Sequence, residues 1–195
     1  MIHNVMFWCV LITLLCGGCS TQPRPAHSPY ATPTEAARNT VLAQKLTAQA
    51  IEQMEKNQQR AEQLLREALS ADLYFGPAHN NLGILYLSSG MLYEAASEFE
   101  WARKLMPGHP DPRMNLALVL ERAGRTDEAL AAYDAALAVY PGHLETTQAL
   151  ARLQLRTGRT DDRTPGFLDD IALRSQSEQW RTWALTQRLK MRETD

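Results

Sequence analysis

GPAHNNLGILYLSSGMLYEAASEFEWARKLMPGH, residues 76–109, runs without a gap into PDPRMNLALVLERAGRTDEALAAYDAALAVYPGH, residues 110–143. The two stretches agree at a shift of 34 residues. Leu82 falls on Leu116 and then on Leu150. Gly83 falls on Ala117 and Ala151, and Gly90 on Gly124 and Gly158. Ala95, Phe99 and Ala102 fall on Ala129, Tyr133 and Ala136. Pro107-Gly108-His109 falls on Pro141-Gly142-His143. Self-similarity at a fixed period has to be read before any local feature, because it decides the whole fold.

Each unit reads as two short helices joined by a tight turn. In the first unit one helix spans 77–89 and the next 92–105. Gly90 lies between them, where a left-handed backbone is needed and glycine adopts it cheaply. Gly83 and Ala95 are small, so the two helices can approach closely. Leu82, Tyr86 and Phe99 fill the space beside them at helical spacing. Pro107 stops the second helix, since it lacks an amide hydrogen and restricts the residue before it. A lone hairpin cannot bury its apolar face, so the units must stack.

A period of 34 with small residues, one glycine, one aromatic and a closing proline at these offsets resembles the tetratricopeptide repeat. That resemblance implies an all-α fold: a superhelix of helix-turn-helix units closed by C-terminal capping helices. Residues 35–163 form the expected repeat domain, with full repeats at 76–109 and 110–143. Stepping back one period gives a degenerate repeat at 42–75, where Ala61, Leu65 and Ala68 lie under Ala95, Phe99 and Ala102. Thr34 is the expected N-cap of its first helix, 35–55. Asn57, beside Lys56 at the glycine position, is expected to supply the left-handed turn. Past the second full repeat, 144–158 reads as a capping helix. Arg163 then stands where a small alanine belongs, and Thr164-Pro165-Gly166 ends the pattern. The extension 164–195 is helical again, in two pieces around 175–177, with Ser177 as an N-cap. Trp180 and Trp183 share one face there, and they either pack back on the superhelix or form an exposed anchor.

The N-terminus reads as an export signal. Residues 1–19 hold no Lys, Arg, Asp or Glu, and the apolar run 7–15 is too short to span a bilayer comfortably. Cys16-Gly17-Gly18-Cys19 follows, and the stretch is similar to a bacterial lipoprotein signal in which cleavage precedes a lipidated cysteine. The alternatives are an uncleaved anchor or a non-lipidated secretory signal. The resemblance implies a signal peptide at 1–18, lipid on Cys19 and a membrane-anchored protein of the cell envelope. Ser20 points to the outer membrane, facing the periplasm. Residues 19–34 carry Pro23, Pro25, Pro29 and Pro33 and form an extended tether.

A net charge of −2 leaves no electrostatic footprint for nucleic acid. There is no phosphate loop, no His-Glu-x-x-His and no Gly-x-Ser-x-Gly, so no enzyme, cofactor or metal is expected. His109 and His143 fall in equivalent turns about 10 Å apart by helix packing, too far for one metal, and read as solvated turn histidines. His79 reads as a packing residue. The family likeness places the concave groove on the first helices of the hairpins. It implies Asn80, Asn81, Ile84 and Leu87 from one repeat, and Met114, Asn115, Leu118 and Glu121 from the next. Gln148 and Arg152 come from the capping helix. Asn81 and Asn115 hold equivalent positions, and either meet a peptide backbone or tie neighbouring helices. The two full repeats lack the lysines and arginines with which some relatives hold C-terminal carboxylates. The reading is a non-enzymatic adaptor for a protein or peptide partner, in an architecture that elsewhere serves pilus and secretion assembly. A self-association module and an accessory subunit of an envelope enzyme stay open, as does the oligomeric state.

Overall fold

The structure, a computed structural model, describes residues 38–194. The expected signal, Cys19 and the proline tether lie outside them. Nine helices and no strand are present among the described residues: α1 Thr40–Gln53, α2 Gln58–Ala71, α3 Gly76–Ser88, α4 Leu92–Leu105, α5 Asp111–Arg122, α6 Thr126–Val139, α7 Leu144–Thr157, α8 Thr164–Arg174 and α9 Glu178–Thr194. No described helix is long and apolar enough to cross a membrane.

Helices pack in sequential pairs, α1 on α2, α3 on α4, α5 on α6 and α7 on α8, and each pair docks on the next. The repeat register dictates the core. Ala61, Ala95 and Ala129 are fully buried, as are Leu65, Phe99 and Tyr133, and Ala68, Ala102 and Ala136. These residues form one stripe on each second helix. The matching residues on α3 and α5, Gly83 and Ala117, are small, and Gly83 must be. A Cβ built there would lie 2.6 Å from Cε1 of the Phe99 ring.

The hairpin turns at Gly90, Gly124 and Gly158 have φ of +75°, +76° and +67°. Each is closed by a hydrogen bond reaching back five residues: Met91 N–H to Tyr86 O, Arg125 N–H to Leu120 O and Arg159 N–H to Gln154 O, all 2.9 Å. Carbonyls at the helix end are satisfied while the chain reverses. The first hairpin turns differently. No non-glycine residue has positive φ among the described residues, and Asn57 sits at φ −152°. Its side chain instead accepts from Arg60 N–H at 3.0 Å, capping α2. The expected left-handed Asn57 is therefore corrected: an Asx cap at the start of α2 replaces the left-handed turn.

The start of α1 is corrected as well. The helix begins at Thr40, and Asn39 rather than Thr34 caps it, accepting from Leu42 N–H at 3.0 Å. What holds that start is buried Asp72 at the end of α2. Arg38 grips its carboxylate with two N–H groups at 2.8 and 3.1 Å, and Thr40 donates at 2.7 Å. Tyr74 N–H adds a fourth bond at 3.0 Å.

At the other end, α7 is not a lone cap. It pairs with α8, which occupies the place of a fourth second helix. Phe167 lies one period after Tyr133, yet Leu168 and Ile171 are the fully buried residues. The helix starts four residues later than the register requires, at Thr164, which rotates its buried face. Arg163 then points outward, to Asp134 on α6 at 2.8 Å and to Asp161 at 2.6 Å. Its bulk is thus accommodated without a small residue at that position. Buried Thr164 and Gln154 bond to each other at 3.0 Å, tying α8 to α7. The break at 175–177 falls between α8 and α9 as expected.

Alanine favours a helix interior over glycine by about 1 kcal/mol, but overpacking costs about 1–3 kcal/mol. With Phe99 fully buried, the clash should win, so Gly83→Ala should lower stability in urea unfolding; a gain would show that the ring has room. At Asp72 burial pushes the carboxyl up, but hydrogen bonds from Arg38 and Thr40 outweigh it and hold the group below the ordinary carboxylate range. Its contribution is then complete above about pH 4 and lost as pH falls through the lowered value. Asp72→Asn should cost about 1.5–3 kcal/mol near neutrality, and the gap to wild type should narrow in acid.

Candidate functional site

The first helices line the inside of the curve. α1 packs directly on α3 and α3 on α5, whereas no comparable packing joins α2 to α4 or α4 to α6 among the described residues. The second helices fan apart on the outside. Residues one period apart therefore repeat along a single inner face. One row is Ala50, Ile84, Leu118 and Arg152, and the row one turn further on is Met54, Ser88, Arg122 and Arg156.

Two recesses open on this face. The first, about 630 Å³, lies at the C-terminal ends of α1 and α3, between Ile51, Met54, Ile84 and Leu85, with Glu52, Glu55 and Lys56 at its rim. The second, about 530 Å³, lies between α5 and α7. Met114, Leu118 and Ala149 give it apolar walls, and Glu121, Arg122, Arg152 and Arg156 its charge. Beyond Arg152, a cavity of about 360 Å³ is bounded by Gln179, Trp180 and Trp183 of α9.

Glu121 is the electrostatic hub of the second recess. Only 7% of its side chain is exposed. It accepts from Tyr133 Oη at 2.9 Å, from Arg156 Nη2 at 3.0 Å and from Arg152 Nη2 at 3.4 Å. Burial, and then the negative charge of Glu121, push the Tyr133 hydroxyl well above its usual range, so it stays a donor. Two guanidinium groups share one carboxylate. Arg122 donates to the Leu87 carbonyl at 3.0 Å.

The structure brings Met114, Leu118, Glu121 and Arg152 into one recess and places Ile84 in the other. It does not do the same for the rest of the expected groove. Leu87 is buried in the core, and the groove sees only its carbonyl partner Arg122. Asn115 is also buried and donates to Asn80 Oδ1 at 3.0 Å, a tie between α5 and α3. Asn81 donates to Pro77 O of its own helix at 2.8 Å. The two equivalent asparagines thus do different work, and both amides serve helices. Gln148 turns toward Ser175 at 3.4 Å. Arg122 and Arg156 belong to the groove and were not anticipated. Their signal was spacing, four residues after Leu118 and Arg152, one turn along the same face.

His79 and His143 serve the packing. His79 is buried, stacked on Trp101 at 5.7 Å, with Nδ1 2.6 Å from Glu98 and Nε2 2.8 Å from Leu73 O. His143 is mostly buried, not solvated, with Nδ1 2.7 Å from Thr146 Oγ1 and Nε2 3.3 Å from Asp111. His109 sits 3.6 Å from the other oxygen of Asp111. No group of three or more metal-ligating side chains gathers among the described residues. Trp180 and Trp183 meet edge to face at 5.1 Å and pack on the α7–α8 cluster, while also facing Arg152.

A sequence model of the tetratricopeptide repeat matches residues 80–143 and again 114–162. No curated protein matches the chain. Among solved structures, PilF of Pseudomonas aeruginosa aligns with a TM-score of 0.69 at 18% identity, over 82% of this chain and 71% of that one. The first tetratricopeptide repeat of Spaghetti (RPAP3), bound to the HSP90 peptide SRMEEVD, gives 0.58 at 16% identity, over 63% and 98%. A mutant O-GlcNAc transferase of Thermobaculum terrenum gives 0.61 at 22% identity, over 72% of this chain but 27% of the enzyme. These likenesses show a shared all-α tetratricopeptide-type superhelix.

Proposed function

We propose that this repeat chain is a non-enzymatic, membrane-tethered adaptor that holds a protein or peptide partner in its concave groove during assembly of the cell envelope. The observation that carries the reading is the inner face: two recesses in repeat register, apolar at their walls and charged at their rims, open on one side of the stack. Such a surface suits an extended segment or a helix that offers apolar side chains at intervals. A relative of the same fold holds a peptide, the HSP90 tail on Spaghetti, at an identity too low to transfer the ligand. The neighbouring transferase does not argue for catalysis here, because this chain aligns with 27% of it. The tether rests on the sequence alone, on Cys19 behind a short apolar run and on the prolines that follow. Lipid burial contributes about 0.8 kcal/mol per CH₂, so a multiply acylated cysteine would keep the groove at a membrane.

Site-specific photo-crosslinking of the full-length protein in its native envelope tests this. A photoreactive residue at Ile84 or at Leu118 should give the same adduct, and one at exposed Tyr93 on the outer helix α4 should not. Cys19→Ser should move that adduct out of the membrane fraction. Adducts from Tyr93 alone would reject the groove, and an unchanged membrane fraction would reject the tether.

A further inference from the structure

The helix starts keep the period to the last described element. α3, α5, α7 and α9 begin at residues 76, 111, 144 and 178, so α9 stands where the first helix of a further repeat belongs. Its inward side agrees with that place. Ala184, one period after Leu150, is fully buried, and Trp180 and Trp183 pack on the α7–α8 cluster. Its outward side does not agree. In the first full repeat, Gly76 and Gly83 mark the side toward the second helix, where an added Cβ would meet Met106 and Phe99. Three periods on, those places hold Glu178 and Leu185. Leu185 is 56% exposed, and Leu189 one turn further is 59% exposed. At Gly83 a single Cβ already overlaps the ring, so a leucine in that place leaves no room for a second helix at hairpin distance. The apolar side of α9 needs a different cover.

We infer that a second copy of this chain covers it, with α9 packed antiparallel on α9 about a two-fold axis at Leu185. Glu178, Thr182, Leu185, Leu189 and Arg192 are all exposed, at spacings of four, three, four and three residues. That is the stripe by which one helix seats on another. Charge sets the direction. Glu178 lies seven residues before Leu185, and Arg192 lies seven after it. In an antiparallel pair centred on Leu185, Glu178 therefore faces Arg192 of the partner subunit, twice per dimer. A parallel pair would set carboxylate on carboxylate and guanidinium on guanidinium. The flanking cations are already engaged: Arg188 bonds to Asp169 at 3.2 Å, and Arg181 to the Ser175 and Gln176 carbonyls at 3.0 and 3.1 Å. One helix face is a small interface, so the dimer is weak and concentration-dependent. A bilayer fits less well, because a helix lying in a membrane surface offers a broad apolar side, and this stripe carries a carboxylate beside two leucines. The contact is separate from the groove and stands whether or not the groove reading holds.

The test uses the full-length protein in detergent, mixed from two preparations that carry different epitope tags and a photoreactive residue at Leu185 or at Leu189. Illumination should give a covalent two-chain species bearing both tags from either position, and none from exposed Tyr93 on α4. Below saturation, Glu178→Arg should lower that yield about tenfold, because two attractive pairs per dimer become repulsive. Arg192→Glu should do the same, and the chain carrying both substitutions should recover the yield. Each charge also suits its own helix end, and that effect alone predicts a further loss in the double variant. In sedimentation equilibrium the wild-type mass should rise with concentration, while Leu185→Glu should stay monomeric with an unchanged circular-dichroism melt. Absence of the two-tag species, an equal yield from Tyr93, a yield indifferent to Glu178→Arg, or no recovery in the double variant overturns the inference. So does crosslinking of position 185 in the native envelope to lipid or to a different protein in place of a second copy.

Discussion

The fold depends on one contact shared by the two full repeats: a ring from the second helix pressed against a small residue of the first. Phe99 lies so close to Gly83 that even a methyl group there would overlap it. Tyr133 takes the same place one repeat later, buried in one cluster with Ala117 and Leu150. Leu65 is buried one repeat earlier, where Gln49 and not a small residue holds the matching position on α1. The contact sets how near the helices of a hairpin can come, and the glycine turns set how sharply the chain reverses. Neither can be satisfied by an isolated hairpin, whose outer apolar side would face water. Stacking is a consequence of that exposure.

Curvature then follows from which helices meet. α1 meets α3 and α3 meets α5 along the inside, while α2, α4 and α6 have no comparable packing on one another among the described residues. The inner face is left with shallow recesses where the ends of the first helices separate. Charge placed at a fixed repeat position appears there at regular intervals, so a change of residue from Ser88 to Arg122 to Arg156 becomes a gradient in space. A buried carboxylate, Glu121, keeps the arginine side chains oriented and leaves surplus positive charge at one end. In that way a period in sequence becomes a directional surface.

Most of this was legible in residues with a strict spatial role. Gly90, Gly124 and Gly158 announce their turns because a left-handed backbone excludes most alternatives. The small and aromatic positions announce the core for similar reasons. Legibility failed where several chemistries satisfy the same need. At Asn57 a side-chain cap served instead of a left-handed turn. Asn39 displaced Thr34 because Arg38 and Thr40 converge on buried Asp72 and fix the start of α1 from a distance. The pairing of α7 with α8 was obscured by four extra residues and by Arg163, although Phe167 kept the period. Within the groove, the side-chain amides are the positions whose partners the sequence leaves open. Asn115 looks identical to Asn81 in sequence, but only Asn115 faces a neighbouring asparagine, Asn80.

If the stacked contacts are what make each hairpin possible, the hairpins cannot open independently. Native-state hydrogen exchange on the full-length protein in low denaturant measures this directly. The amides of Leu85 and Phe99 in the first full repeat, and of Leu120 and Ala136 in the second, should exchange through one opening with a common free energy and a common denaturant dependence. Continued protection of Leu120 and Ala136 under conditions where Leu85 and Phe99 have fully exchanged would contradict the account.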